Sequence, residues 1–163
     1  FAVLGNHDNW DSNDEWTRVF EGSSVKLIEN QIARIIYNGA EICVRGLGDV
    51  YSGFWEPVEL PTECKNAAIT LTHDPSGLLT LDGTVETLSF AGHTHCGQIA
   101  FPLIGAPLVP TQAPKDMHCG KFNRGESGIV SGGLGSSILP FRFGPSTEPG
   151  WELIVIEALK NKN

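Results

Sequence analysis

The histidines of this chain lie where short apolar runs end, and this placement constrains the fold more than any other feature. Four of the five histidines belong to three clusters, which are Gly5-Asn6-His7-Asp8, Thr72-His73-Asp74 and Gly92-His93-Thr94-His95. Apolar runs at residues 67–72 and 88–91 lead into the last two clusters and predict buried strands. Such strands deliver the residues that follow them to one edge of a sheet. We therefore expect the clusters to meet at a sheet edge.

Local patterns predict further strands and one helix. Asn38-Gly39 separates β-rich runs at residues 32–37 and 41–47, which is typical of an antiparallel hairpin. A short helix is expected at residues 11–20. Other strands are expected at residues 1–4, 25–28, 98–101, 128–131 and 151–156. Because strands outnumber helices, the expected architecture is sheet packed on sheet with helices outside.

Composition narrows the class of partner. With 163 residues and 40% hydrophobic content, the chain can form a single domain over residues 1–163. The net charge of -8, from 11 Lys and Arg against 19 Asp and Glu, argues against nucleic acid or an anionic membrane as partner. A phosphate-bearing substrate would have to be held by local charge, such as that of metal ions. The sequence has no apolar run of about 20 residues that could span a membrane.

The start of the chain and its cysteines lead to two further expectations. The apolar run at residues 1–4 suggests a chain that begins inside a domain, so an upstream targeting segment would not be visible. Localisation therefore stays open between cytoplasmic and membrane-associated. The four cysteines show no C-x-x-C spacing, which favours buried or free thiols over a zinc ribbon or a disulfide framework; they are Cys43, Cys64, Cys96 and Cys119.

The clustered histidines point to metal binding. A single histidine is more often a core or surface residue than a ligand, but three clusters at strand ends reverse that expectation. His93 and His95 alternate with Thr94, so on an extended backbone both imidazoles would point the same way. Gly5 and Gly92 would permit the sharp turns that bring ligands together.

The order of these motifs resembles the later motifs of the calcineurin-like metallophosphoesterases. Within that superfamily, the chain is similar to a bacterial branch of small phosphodiesterases related to enzymes that cleave the pyrophosphate bond of UDP-2,3-diacylglucosamine. The wider similarity rests on Trp10, Gly48-Asp49, Cys96-Gly97-Gln98-Ile99, Gly133-Leu134-Gly135-Ser136-Ser137 and Leu139-Pro140-Phe141-Arg142-Phe143. The resemblance implies an α/β sandwich of two mixed β-sheets flanked by helices, with metals at the sheet edge.

The resemblance also implies roles for individual residues. Two divalent ions, which could be Mn, Fe or Zn, would share a bridging hydroxide that attacks phosphorus. Asn6, His73 and His93 would bind one ion and His95 the other. The catalytic residues would be His7, which stabilises the transition state or protonates the leaving oxygen, and Asp8, which orients His7.

Several of these residues have a plainer alternative. Asp8 could simply form a turn, and Asp74, which precedes Pro75, is expected to be a turn residue rather than a ligand. Cys96 could be a metal ligand, although a small buried residue is the expectation. Arg142 is a candidate for binding the substrate phosphate, or alternatively a structural ion-pair residue.

The substrate is expected to be a phosphorylated small molecule or a lipid-linked phosphate. Trp55 and the loop at residues 101–109 could form an apolar rim for a lipid or aromatic group, or could only cover the core. This loop belongs to a segment with four prolines at residues 102–114.

One departure from the family pattern limits the expected site. The family's Asp-x-His motif and its Gly-Asp motif, which supplies the bridging carboxylate, should precede Gly5 and are not in residues 1–4. Gly48-Asp49 follows Gly-Asn-His-Asp and so cannot replace the missing Gly-Asp. The chain is therefore expected to be the C-terminal portion of the domain, to bind one metal or none, and to have little phosphodiesterase activity by itself. An exposed sheet edge would favour self-association.

The leading hypothesis is a metal-dependent hydrolase of phosphate esters or anhydrides, either a phosphodiesterase or a pyrophosphatase. The alternative is a truncated, non-catalytic metal-binding or interaction domain that retains the fold. A third candidate, a zinc hydrolase of carbonyl substrates, is weaker because no H-E-x-x-H arrangement is present.

Overall fold

A computed structural model describes residues 1–10, 13–64, 68–81, 87–124 and 127–157. The predicted helix is present as α1 (Asn13–Glu21), and residues 11 and 12 of the predicted range lie outside the described residues. The six strands are β1 (Gln31–Tyr37), β2 (Ala40–Gly46), β3 (Ala68–Leu71), β4 (Leu88–Ala91), β5 (Gly120–Asn123) and β6 (Ser127–Val130). Short 3-10 helices form many of the connections.

The strands form one mixed sheet in the order β1-β2-β3-β4-β6-β5. The four central strands β2, β3, β4 and β6 run parallel, and β1 and β5 pair antiparallel at the two edges. The mixed sheet with few helices confirms the α/β class. Where the resemblance implies two sheets, the described residues form this single six-stranded sheet.

The Asn-Gly hairpin is confirmed. Tyr37 pairs with Ala40, which leaves Asn38 and Gly39 as a two-residue loop between β1 and β2. Both loop residues have positive φ, 50° at Asn38 and 78° at Gly39. This is the conformation that a type I′ turn requires and that Asn-Gly adopts at low cost.

The carboxyl ends of the central strands lie side by side. The backbone N–H of Leu47 donates to the Leu71 carbonyl at 2.9 Å, and that of Thr72 donates to the Phe90 carbonyl at 3.0 Å. Beyond these points the chain leaves the sheet and carries its polar clusters. Parallel strands flanked by crossovers place their following loops at one edge, which is the usual ligand-binding edge of an α/β sheet.

Buried apolar side chains on this sheet and the adjoining loops form the core. The main cluster contains Leu47, Leu78, Ala91, Ala113, Met117, Phe122 and Val130. Met117 and Val130 are each 1% exposed, and Leu47 is fully buried. The core therefore lies directly beneath the strand ends and supports the loops that follow them.

Some predicted strands are wrong. Residues 1–4 and 25–28 share only the single parallel bridge between Ala2 and Leu27, and residues 98–101 make only isolated bridges. Residues 151–156 form no strand, and Trp151 is 72% exposed. These runs are apolar, but an apolar run becomes a strand only where a neighbour pairs with its backbone. Conversely, β5 was not predicted, because Gly120–Asn123 has little strand propensity of its own.

The expectation of buried or free thiols is also wrong, since the four cysteines form two disulfides. Cys43 at β2 is bonded to Cys64, with 5.6 Å between the Cα atoms, and both residues are 1% exposed. Cys96 is bonded to Cys119, with 4.8 Å between the Cα atoms. The partners are 21 and 23 residues apart in sequence, so no short spacing could reveal them. Cys96 is therefore not a thiolate ligand.

In the part of the chain that the structure describes, no helix has the length and apolar character needed to cross a membrane.

Candidate metal centre

A cavity of about 990 Å³, partly open to solvent, lies at the carboxyl edge of the sheet. Six of the seven residues predicted to form the site line this cavity, namely Asn6, His7, Asp8, His73, His93 and His95. The loop after β3 supplies His73, the loop after β4 supplies His93 and His95, and the turn after residue 4 supplies the others. The structure thus brings these side chains together, while their roles stay predictions.

Three donor atoms from three loops lie next to one another inside the cavity. Asn6 Oδ1 is 3.0 Å from His73 Nε2, and His73 Nε2 is 3.0 Å from His93 Nδ1. Asn6 is 6% exposed. Ligand atoms about 2.1 Å from a common ion are roughly 3.0 Å apart at right angles and roughly 3.4 Å apart at a tetrahedral angle. Each of the two observed distances, from the amide oxygen to one imidazole nitrogen and from that nitrogen to a second, therefore matches a pair of ligands on one divalent ion.

The partner of His93 Nε2 shows which nitrogen of this ring carries the proton and which has a free lone pair. His93 Nε2 lies 2.6 Å from the carbonyl oxygen of Pro110, which can only accept a hydrogen bond. His93 Nε2 therefore carries the proton and donates it. In the neutral ring this leaves Nδ1 unprotonated toward His73 and Asn6, as a metal ligand requires.

The donor set is unusual in its composition. In the residues that the structure describes, no group of three or more His, Cys, Asp or Glu side chains is placed to hold a metal ion. The three-atom set above includes the Asn6 amide oxygen in place of a third such residue. Two nitrogens and one neutral oxygen suit Mn, Fe or Zn better than Ca or Mg, which prefer oxygen ligands.

The pKa of His73 is lowered from its usual value of 6.5. Burial is the main cause and the neighbouring His93 adds to it, whereas the carboxylates of Asp49, Asp74 and Asp8 oppose the shift. A lowered pKa keeps the imidazole neutral, which is the form that binds metal. Gly5 makes the ring's position possible, because a Cβ there would lie 2.6 to 2.8 Å from three atoms of the His73 ring.

His95 faces the same cavity but contacts different groups. Burial lowers its pKa first, followed by the charges of Arg142 and His93, while hydrogen bonds to the backbone of Gly132 and Gly135 oppose the shift. Arg142 Nη2 lies 3.1 Å from His95 Nδ1. Since a guanidinium only donates, this contact is a hydrogen bond only when Nδ1 is unprotonated.

Arg142 organises the loops around His95. Its Nη1 donates at 3.1 Å to the carbonyls of both His95 and Thr147, and its Nε donates at 2.9 Å to the carbonyl of Gly135. Arg142 therefore has a structural role, as in the alternative given above, but it donates to backbone carbonyls instead of forming an ion pair. A role in binding the substrate phosphate stays a prediction.

The expectation of an extended backbone at His93 and His95 is wrong. Both have positive φ, 63° and 49°, and Thr94 between them is in the right-handed helical region. Gly92 does not have positive φ, and a Cβ there would make only an ordinary 3.9 Å contact with the His73 carbonyl oxygen. The histidines themselves therefore make the turn, and both rings reach the cavity because the loop curls around it.

The two residues of the predicted catalytic pair each contact a neighbouring group of the same turn. The Asp8 carboxylate accepts a hydrogen bond from the Gly5 backbone N–H at 2.8 Å, which is the turn-forming contact given above as its alternative. His7 is exposed and stacks on Trp10, with ring centroids 4.1 Å apart and an interplanar angle of 24°. His7 nevertheless lines the cavity.

Residues beyond the predicted set also shape the site. Asp49 is fully buried, its Oδ2 accepts from the Ser52 backbone N–H at 2.7 Å, and its Oδ1 has no hydrogen-bond partner among the described residues. Tyr51 borders the cavity, with its ring centroid 5.5 Å from that of His93. Asp49 follows β2 as His73 follows β3, so the strand-end rule could have found it, whereas no local signal marks Tyr51 or Pro110.

A second, mainly apolar pocket of about 810 Å³ shares His95, Pro110, Ser137 and Ile138 with the cavity. Pro107 and Leu108 of the predicted rim loop line this pocket. Trp55, the other predicted rim residue, packs against the main core cluster. The loop thus lies beside the site, whereas Trp55 covers the core.

Comparison with known proteins shows distant relatives. The chain is 27% identical over 115 residues to phosphodiesterase YaeI of Escherichia coli, which covers 69% of this chain and 42% of that protein. It is 25% identical over 162 residues to the uncharacterized metallophosphoesterase YkoQ of Bacillus subtilis, which covers 91% of this chain and 57% of that protein. It is 30% identical over 112 residues to the uncharacterized metallophosphoesterase Cj0846 of Campylobacter jejuni, covering 64% and 29%.

The chain therefore spans less than two thirds of the length of each of these relatives. No protein-family model matches the chain. No solved structure matches it.

Proposed function

Because the chain is related to the metallophosphoesterase superfamily, we propose that it is a metal-dependent hydrolase of phosphate esters or anhydrides. The convergence of Asn6 Oδ1, His73 Nε2 and His93 Nδ1 within 3.0 Å steps carries this proposal. A metal ion at such a site activates water and neutralises phosphate charge.

The chain's own residues would divide the remaining work. Asn6, His73 and His93 would hold the ion, and His95, which lines the same cavity, would offer a further imidazole for a second one. His7 lies at the open side of the cavity and would donate a proton to the leaving oxygen. The His7 ring stacks on Trp10.

The substrate proposed here is a phosphodiester or pyrophosphate of a small molecule or a lipid-linked group. Entry from solvent is open, and the adjoining apolar pocket offers space beside His95 for an apolar substituent. The net charge of -8 disfavours nucleic acid as the partner. Association of two copies through the exposed edge of β1 stays part of the proposal, since its Ile36 is 77% exposed and its Tyr37 68% exposed.

The alternative is a metal-binding domain without catalysis. The observation that favours it is the small donor set, because no group of three or more His, Cys, Asp or Glu side chains is placed to hold a metal ion in the described part of the chain. Such a domain would bind one ion without turning over a phosphodiester.

Hydrolysis of bis-p-nitrophenyl phosphate with Mn²⁺, Zn²⁺ or Fe²⁺ tests the proposal. We expect metal-dependent turnover that falls at least 100-fold in His93→Ala and in His73→Ala, because each change removes one of three ligands. His118→Ala is the matched control, since His118 does not line the cavity. Its Nε2 lies 2.9 Å from the Ala113 carbonyl oxygen. Bound Mn²⁺ without turnover would support the alternative, and absence of metal binding would overturn both.

A further inference from the structure

We propose that Asp74 is a positioning residue for His93. The Asp74 carboxylate and the Pro110 carbonyl together hold the His93 ring with its unprotonated Nδ1 toward Asn6 and His73. This inference rests on the proposed function, because it assigns a purpose to the orientation of a metal ligand. The sequence presents Asp74 only as a turn residue before a proline, which is one of its two roles.

The contact between Asp74 and His93 is buried. Asp74 Oδ2 lies 3.6 Å from His93 Nε2, and the two side chains are 2% and 6% exposed. This distance is too long for a direct hydrogen bond, so the carboxylate acts by charge. Its negative charge favours the proton on Nε2, where the Pro110 carbonyl accepts it at 2.6 Å.

Asp74 also fixes the carbonyl that accepts this proton. Asp74 Oδ1 accepts from the Thr111 hydroxyl at 2.6 Å and from the Ser76 backbone N–H at 2.8 Å. The Ser76 contact caps the 3-10 helix Pro75–Thr80 and sets the carboxylate in place. The Thr111 contact holds the segment that carries Pro110. Asp74 therefore supplies one of the two groups that face His93 Nε2 and, through Thr111, positions the other, which is the Pro110 carbonyl.

The expected consequence is a preorganised ligand. If the proton of the His93 ring were on Nδ1, it would have to move to Nε2 before Nδ1 could bind metal, and this step would lower the affinity. Partners that orient a metal-bound histidine are commonly worth 10- to 100-fold in metal affinity. We expect a loss in that range when the Asp74 carboxylate is replaced.

Asp74→Asn is the test variant, because it keeps the shape and an oxygen for the cap while removing the negative charge near Nε2. Thr80→Ala is the matched control: the Thr80 hydroxyl donates to the Gly77 carbonyl at 2.6 Å within the same 3-10 helix and does not line the cavity. Two-bond ¹H–¹⁵N correlation spectra of the metal-free protein report which nitrogen of His93 is protonated. Titration calorimetry with Mn²⁺ alone reports affinity.

The expected result is a protonated His93 Nε2 in the wild type, a larger Nδ1-protonated fraction in Asp74→Asn, and Mn²⁺ affinity reduced at least 10-fold in that variant only. Unchanged spectra or unchanged affinity in Asp74→Asn would overturn the inference. If Asp74→Asn does not fold, Thr111→Val must shift the spectra in the same direction; it removes the hydroxyl that donates to Asp74 and that also accepts from the Ala113 backbone N–H at 3.1 Å. If the wild type binds no Mn²⁺, the proposed function fails, while the metal-free spectra still decide the role of Asp74.

Discussion

Single atoms decide how closely the ligands of this site can approach. His73 sits against the backbone of Gly5, where a side chain would meet the imidazole ring at 2.6 Å. His93 and His95 adopt positive φ, a conformation that non-glycine residues rarely take and that is often retained at functional sites. The site is therefore built from close contacts that individual substitutions can test.

We predict that Gly5→Ala displaces the His73 ring and weakens Mn²⁺ binding at least 10-fold. The shifts needed to avoid this overlap should also lower the free energy of unfolding by about 1–3 kcal/mol, as overpacking usually does. Calorimetry and urea unfolding provide the two measurements.

Gly150→Ala is the control for this change, because a Cβ there would meet nothing within 4 Å and Gly150 does not have positive φ. Normal Mn²⁺ affinity in Gly5→Ala would show that the His73 ring is not held in its binding position by this contact.

At the scale of elements, the two disulfides differ in exposure. Cys43–Cys64 ties β2 to the 3-10 helix Thr62–Cys64 and is buried. Cys96–Cys119 ties the loop of His93 and His95 to the start of β5, and Cys119 is exposed. The second disulfide therefore joins a predicted metal-binding loop to an edge strand.

We predict that dithiothreitol opens Cys96–Cys119 first, since Cys119 is exposed whereas Cys43 and Cys64 are buried. Thiol titration under native conditions should count two reactive thiols, and four only in denaturant. Replacing both Cys96 and Cys119 by serine should lower the free energy of unfolding by about 3 kcal/mol, the usual value for a loop of this length. Four thiols reacting at equal rates in the native protein would contradict this.

At the scale of the whole molecule, stability depends on the charge state of buried groups. The lowered pKa values of His73 and His95 mean that the folded protein resists protonating them. The pKa of Glu29 is raised, mainly by burial, so the folded protein binds a proton there more readily than the unfolded chain. This group therefore adds stability as the pH falls, opposite to the two histidines.

We predict that the metal-free protein loses stability as the pH falls below 6.5. Below this value the unfolded chain binds protons at His73 and His95 that the folded chain does not, so the stabilisation present above pH 6.5 is lost as the pH approaches the lower folded-state pKa values. Urea unfolding with a chelator at several pH values measures this slope. His73→Gln should flatten it, and an identical slope in His73→Gln would refute the assignment.

The sequence by itself determined the features that depend on neighbouring residues. The Asn38-Gly39 turn, the apolar runs of β3 and β4 and the histidines after them are local patterns, and the structure bears out each of these elements. Their convergence at one edge was expected from the buried character of both strands, and the parallel pairing of β3 with β4 accounts for it.

Only the tertiary structure decided the contacts between distant segments. Cys96 meets Cys119 across 23 residues, and Asp74 meets Thr111 across 37. Residues 151–156 carry a strand-like apolar pattern yet stay unpaired, whereas β5 forms with little propensity because β6 supplies its hydrogen bonds. A backbone or side-chain partner far along the chain leaves no trace in local periodicity, so these outcomes depended on which segments the folded chain brings together.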